Sequence, residues 1–308
     1  RARMNTIPRQ WAKESAVAVL AVLLLGLALT CGLTSSRWIH APFPGFFIMA
    51  NRVIASVSLP TWPIAQHQHL YQHAILAVNG HAVETSKELY TFVQNLPQGS
   101  PTSYTLKKDG LQSEQVLPIR IFTVQDYWLL FGSYLLSGFA LAFTGLTVWW
   151  LKPTAPASFA LLMVGLTGGI FAITGADLYG PHWFFRLHIL GEAFFPASLV
   201  HLALVFPIDR TQRFRTLLVG FPYLISALLG VAYEVSLYTP DRYSWIHDLS
   251  TLYGAVGGFT LFSSVVWAYL TTHSHLVQQK IRIILIGFLS GFSLPALLML
   301  SSAVTGGE

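Results

Sequence analysis

"PFPGFFIMANRVIASV" (residues 42–57) decides how this chain is read. It follows closely on a long apolar run, Ala16–Leu33, and the next such run does not begin until Tyr127. Its first half holds two prolines and a glycine, and its second half alternates and is β-branched. Proline breaks helices and β-branched alternation favours strands. The stretch therefore predicts a β-rich segment inserted between the first two membrane helices.

Composition sets the class. Hydrophobic residues make up 53% of the 308 residues and charged residues 10%, against about 25% charge in an ordinary soluble domain. That predicts an integral membrane protein. The single cysteine, Cys31, excludes an internal disulfide framework and a cysteine-based zinc site. Apolar runs long enough for a bilayer, which takes about 20 residues, are Ala16–Leu33, Tyr127–Leu151, Ala157–Gly175, Leu187–Phe206, Leu217–Leu237, Leu249–Leu270 and Ile283–Val304. The first reads as an uncleaved anchor, because its apolar core is too long for a signal peptide and no Ala-x-Ala site follows.

The fold class is thus a polytopic α-helical membrane protein of about seven spans with an extracytoplasmic α+β domain. Orientation follows from Lys and Arg near the span ends. With the N-terminus inside, Arg1, Arg3, Arg9, Lys13, Lys152, Arg210, Arg213, Arg215, Lys280 and Arg282 all fall on the inner side, whereas the short outer loops hold Arg186 and Arg242. The expected organisation is a cytoplasmic N-terminus (1–15), a first span (16–33), an outer domain (34–126), a six-helix bundle (127–304) and an outer end (305–308). Seven spans that start inside end outside, so a cytoplasmic output is expected beyond this segment.

Within 34–126, "NRVIASV" and "AILAVNG" read as strands, and Asn79-Gly80 and Asp109-Gly110 as two-residue hairpin turns. "SKELYTFVQNL" carries Leu89, Phe92, Val93 and Leu96 at helical spacing, predicting a helix over Ser86–Leu96.

"AILAVNGHAVETSKELYTFVQNLPQGSPTSYTLKKDG" resembles the second half of a bacterial PDZ domain, and "PGFFIMANRVIASV" resembles the carboxylate-binding loop and following strand of that family. The resemblance implies a peptide-binding loop at Pro44, Gly45, Phe46 and Phe47, with a peptide added along a sheet edge. The sequence departs from the family pattern where Gln72-His73-Ala74 replaces the usual Gly-Asp before the strand. The wider layout, including "HLALVFP" (201–207) and the basic residues after it, is similar to the input region of PDZ-bearing bacterial membrane sensors, most often histidine kinases with a competence or quorum-sensing arrangement. It implies a homodimer receiving a peptide or small-molecule signal at the inner membrane, among its lipids, with no nucleic acid and no cofactor.

Ionisable residues inside a bilayer are costly and point to function. His188 and Glu192 sit four apart on the fourth run, with Arg186 before them; Asp177, Glu234 and His247 fall near the outer ends of neighbouring runs. These six are expected to line one outer polar cavity and to bind a ligand. His201 lies deeper, on another face. The "HQHLYQH" stretch (67–73) has alternating histidines but nothing to complete a metal site. No His-Glu-x-x-His, Gly-x-Ser-x-Gly or phosphate-loop motif occurs, so no catalytic residue is assigned. A transporter-like bundle with an accessory domain, or an envelope scaffold, are the alternative functions.

Overall fold

The computed structural model describes residues 7–211, 214–272, 274, 275, 278, 279, 281 and 282, with side chains from residue 14 onward. Most of it is helical. Helix α1 (Ile7–Ser35) leads through a short 3-10 turn to strand β1 (Pro42–Phe43). Strands β2 (Ala74–Val78) and β3 (His81–Ala82), helix α2 (Ser86–Gln94) and strands β4 (Pro101–Lys108), β5 (Leu111–Pro118) and β6 (Arg120–Ile121) complete an α/β layer. One turn of helix, α3 (Val124–Tyr127), runs through a π-helical turn at Trp128–Gly132 into α4 (Ser133–Leu151). Helices α5 (Pro156–Gly175), α6 (Phe185–Val205), α7 (Arg215–Ser236) and α8 (Pro240–Thr271) follow.

Among the described residues, six helical stretches are long and apolar enough to cross a bilayer, as in a multi-pass membrane protein: Glu14–Trp38, Val124–Leu151, Pro156–Gly175, Phe185–Val205, Arg215–Ser236 and Pro240–Thr271. The seventh run, Ile283–Val304, lies outside the described residues. The last stretch begins nine residues before the Leu249 read from hydropathy. Pro240 at its first turn suits the free N–H groups there, and Asp241 complements the helix dipole.

The sheet order is β3-β2-β4-β5, all antiparallel. Both predicted turns have positive φ at both positions, Asn79 and Gly80 (45° and 78°) and Asp109 and Gly110 (51° and 81°), as a two-residue turn between twisted strands requires. Helix α2 starts where Thr85 accepts from the Glu88 N–H at 3.2 Å and the Glu88 carboxylate accepts from the Glu84 N–H at 2.8 Å. Strands β1 and β6 pair with each other, so the chain enters and leaves the layer at one clasp.

"NRVIASV" departs from its predicted single strand. Arg52 has φ 66° and its N–H donates to Met49 O, which folds 48–54 into a tight hairpin closed by an Ile48–Ile54 bridge. The second arm pairs with the start of β2 through Val53–Ala74.

A single apolar core runs from this layer into the helices. Phe43, Phe47, Trp62 and Phe122 pack with Phe131 from the π turn and Tyr179 from the α5–α6 connection. Phe47 stacks on Tyr179 with centroids 4.8 Å apart and planes at 7°. Trp62 Nε1–H donates to Asp126 Oδ1 at 3.1 Å, and Asp126 also closes the capping box with Thr123 that starts α3. Below this, glycines set the spacing of α4 and α5. A Cβ on Gly169 would lie 2.7 Å from Ala142 Cβ, and one on Gly138 2.9 Å from Gly169 O. Small residues of this kind let membrane helices approach closely. On α8, Gly257 approaches Pro196 O on α6, whereas Gly258 faces open space.

Candidate functional site

The loop expected to bind a peptide carboxylate is packed as core. Phe46 and Phe47 are fully buried. Phe46 lies edge-on to Tyr104 at 5.0 Å. Gly45 has φ 82°, and a Cβ there would meet Pro63 Cδ at 2.8 Å, so its position requires glycine on both counts. Just after the loop, the Tyr90 hydroxyl from α2 accepts from the Ile48 N–H (2.8 Å) and donates to Ile48 O (3.2 Å). One side chain thus occupies both backbone groups that a strand added at this edge would use. Burial raises the Tyr90 hydroxyl above the ordinary tyrosine range, so it stays protonated for both contacts.

The six polar residues expected to share one cavity fall into separate settings. Arg186 and Glu234 form an exposed ion pair at 3.1 Å, joining the start of α6 to the end of α7. Exposed pairs contribute only about 0–1 kcal/mol. Asp177 is fully buried. Its Oδ2 accepts from the Phe184 N–H at 2.8 Å and caps the approach to α6, while Oδ1 has no partner. Burial pushes its carboxyl up to about 6, against the lowering effect of the Phe184 and Trp183 amides. His188 turns to α5, with Nδ1 3.1 Å from Thr174 Oγ1 and its ring stacked on Phe171 at 4.5 Å. Thr174 spends its proton on Ile170 O, so His188 Nδ1 is assigned as the donor.

Glu192 and His247 do come together. His247 Nδ1 lies 2.9 Å from Glu192 Oε1, with side-chain exposures of 29% and 11%. The Tyr233 hydroxyl donates to the same Oε1 at 2.5 Å and sits 3.4 Å from His247 Nδ1. Three helices, α6, α7 and α8, each supply one member. A carboxylate at this depth needs such partners, because an unpaired charge in an apolar interior is expensive. Tyr243 stacks parallel to the His247 ring at 6.2 Å and reaches Met49 Sδ in the α/β layer with its hydroxyl.

Sequence reasoning missed Tyr233, Tyr243 and Thr174. The signal for the tyrosines was present: a tyrosine within an apolar run keeps a hydroxyl that needs a partner. That partner lies on another helix, 41 residues away for Tyr233 and Glu192. In the "HQHLYQH" stretch the His67 and His69 rings lie 6.0 Å apart. No group of three metal-ligating side chains occurs among the described residues.

A scan against protein-family models, a search of curated proteins and a search of solved structures each return no significant match.

Proposed function

We propose that this chain is the signal-receiving module of a bacterial inner-membrane receptor, with the α/β layer outside and α8 carrying its state across the bilayer to a cytoplasmic output of the histidine-kinase kind. The observation that supports this reading is the reach of α8. Near its start, Tyr243 and Ser244 touch Met49 and Gln72 of the outer layer, and the whole helix, which ends at Thr271, is 32 residues long, about 48 Å at 1.5 Å per residue. Among the described basic residues, Lys152, Arg210, Arg215 and Arg282 lie at or beyond the helix ends away from the layer, which favours that end as cytoplasmic.

The resemblance to PDZ domains supplies the recognition step. The strand, tight turn, short strand, helix and hairpin of residues 74–118 follow that family's order. In this reading a peptide enters beside Ile48 by displacing Tyr90, and the hairpin that holds Met49 moves with it. The test joins the outer layer to α8 by Gln72→Cys and Ser244→Cys with Cys31→Ser, in the full chain in nanodiscs. Amide exchange over 262–272 is expected to slow on oxidation and recover on reduction. Identical exchange in the two states would contradict the coupling.

A further inference from the structure

Two serines in the membrane interior lack a partner in good hydrogen-bond geometry, where their neighbours have one. Ser133, Ser137, Thr144, Thr167, Thr174, Ser236 and Thr260 all return their hydroxyls to carbonyls of their own helices. Ser226 on α7 and Ser250 on α8 do not, although Ser226 is 0% and Ser250 2% exposed. The carbonyl four residues before Ser226 is that of Pro222, which already accepts from the Tyr253 hydroxyl of α8 at 3.0 Å. A buried hydroxyl without a partner is uncommon, and ordered water is the usual answer where the surroundings are polar.

The surroundings are polar in a definite order. Ser250 faces the Tyr233 hydroxyl of the Glu192–His247 cluster at the margin of hydrogen-bond geometry. Tyr253 lies one turn further along α8, and Ser226 faces its hydroxyl at the margin of hydrogen-bond geometry. On α7, Tyr223, Ser226 and Tyr233 are three and seven residues apart and share one face. Tyr253 is within electrostatic reach of Tyr223, and the Tyr223 hydroxyl lies 3.2 Å from His201 Nδ1 on α6. Arg215, at the inner start of α7, is within electrostatic reach of His201. Polar groups therefore descend from Glu192 near the outer layer to His201, nine residues or about 13 Å further along α6, and the two unpartnered serines fall in the middle of the series.

We propose that Ser226 and Ser250 bind water between α7 and α8, and that this water joins the outer Glu192–Tyr233–His247 cluster to the inner Tyr253–Tyr223–His201 cluster as one hydrogen-bonded seam. Such a seam lets a proton or a change of hydrogen-bond direction pass from the outer half of the bundle to the inner half. No lone charge has to cross apolar space. Each hydroxyl and each water in the series can donate one proton while accepting another.

Hydroxyl-radical footprinting of the full chain in nanodiscs tests the seam, because the radicals form from water held within the protein. Phe131, fully buried in the aromatic core, gives the dry reference. After correction for intrinsic reactivity, Tyr233 and Tyr253 are expected to be modified several-fold faster than Phe131. That excess is expected to fall to the reference level in the S226A/S250A double variant. Modification of Tyr253 no faster than of Phe131, or an excess unchanged in the double variant, would overturn the proposal. A double variant that unfolds at a higher temperature than the parent would overturn it too, since removing a dry unpartnered hydroxyl stabilises whereas removing a water ligand does not. The single variants S226A and S250A, read against the same criteria, keep the test decisive if the double variant fails to fold.

Discussion

At the scale of single residues, the end of the bundle next to the α/β layer is governed by where buried polar groups find partners. Asp177 is the clearest case. Its carboxyl is buried, has an amide on one oxygen and none on the other, and is pushed up to about 6. An unfolded aspartate titrates near 3.9. The folded form therefore holds the proton more tightly. Its contribution to stability is fully present below about pH 4, is lost as pH rises through about 6, and is level above that. The thermal midpoint of the full chain in micelles should decline between those values. Asp177→Asn, which keeps an acceptor for the Phe184 amide, should flatten the decline. An unchanged slope in that variant would assign the effect elsewhere. The sequence placed Asp177 near a helix end, but it could not show that His188, eleven positions on, turns to Thr174 rather than toward the carboxylate. Side-chain direction depends on which helix lies opposite, and that is settled by packing.

At the scale of elements, sequence and structure agree where a local rule suffices. The two glycine turns and the helix at Ser86–Gln94 each rest on a backbone requirement within a few residues. They diverge where distant pairing decides. The 48–54 hairpin bends at Arg52 because its second arm pairs with residues 72–75, and alternation alone does not reveal a bend. Helix contacts in the bundle depend on individual glycines, and their substitution should separate packed from free positions. Gly169→Ala places a methyl 2.7 Å from Ala142 Cβ, whereas Gly26→Ala meets nothing within 4 Å. The first should destabilise the full chain by about 1–3 kcal/mol through overpacking. The second should be neutral or stabilising by up to ~1 kcal/mol, from helix propensity. Denaturant midpoints in micelles check both, and equal effects would remove the close α4–α5 approach.

At the scale of the whole molecule, the consequential feature is that the α/β layer and the helices share one core. The sequence separated them into an insert and a bundle, because hydropathy marks where a chain crosses but says nothing of what the crossing ends touch. Phe47 and Tyr179 come from opposite sides of that division and stack face to face. The most direct test of coupling across it is the distance between nitroxide labels at Lys152→Cys and Thr271→Cys, both at the end of the bundle away from the layer, in a Cys31→Ser background. It is measured by pulsed electron resonance in nanodiscs with and without the Phe47→Ala and Tyr179→Ala pair. Coupling through the shared core requires the distribution to broaden or move when the stack is removed. The same distribution in both would contradict it, and α8 would then carry nothing from the α/β layer.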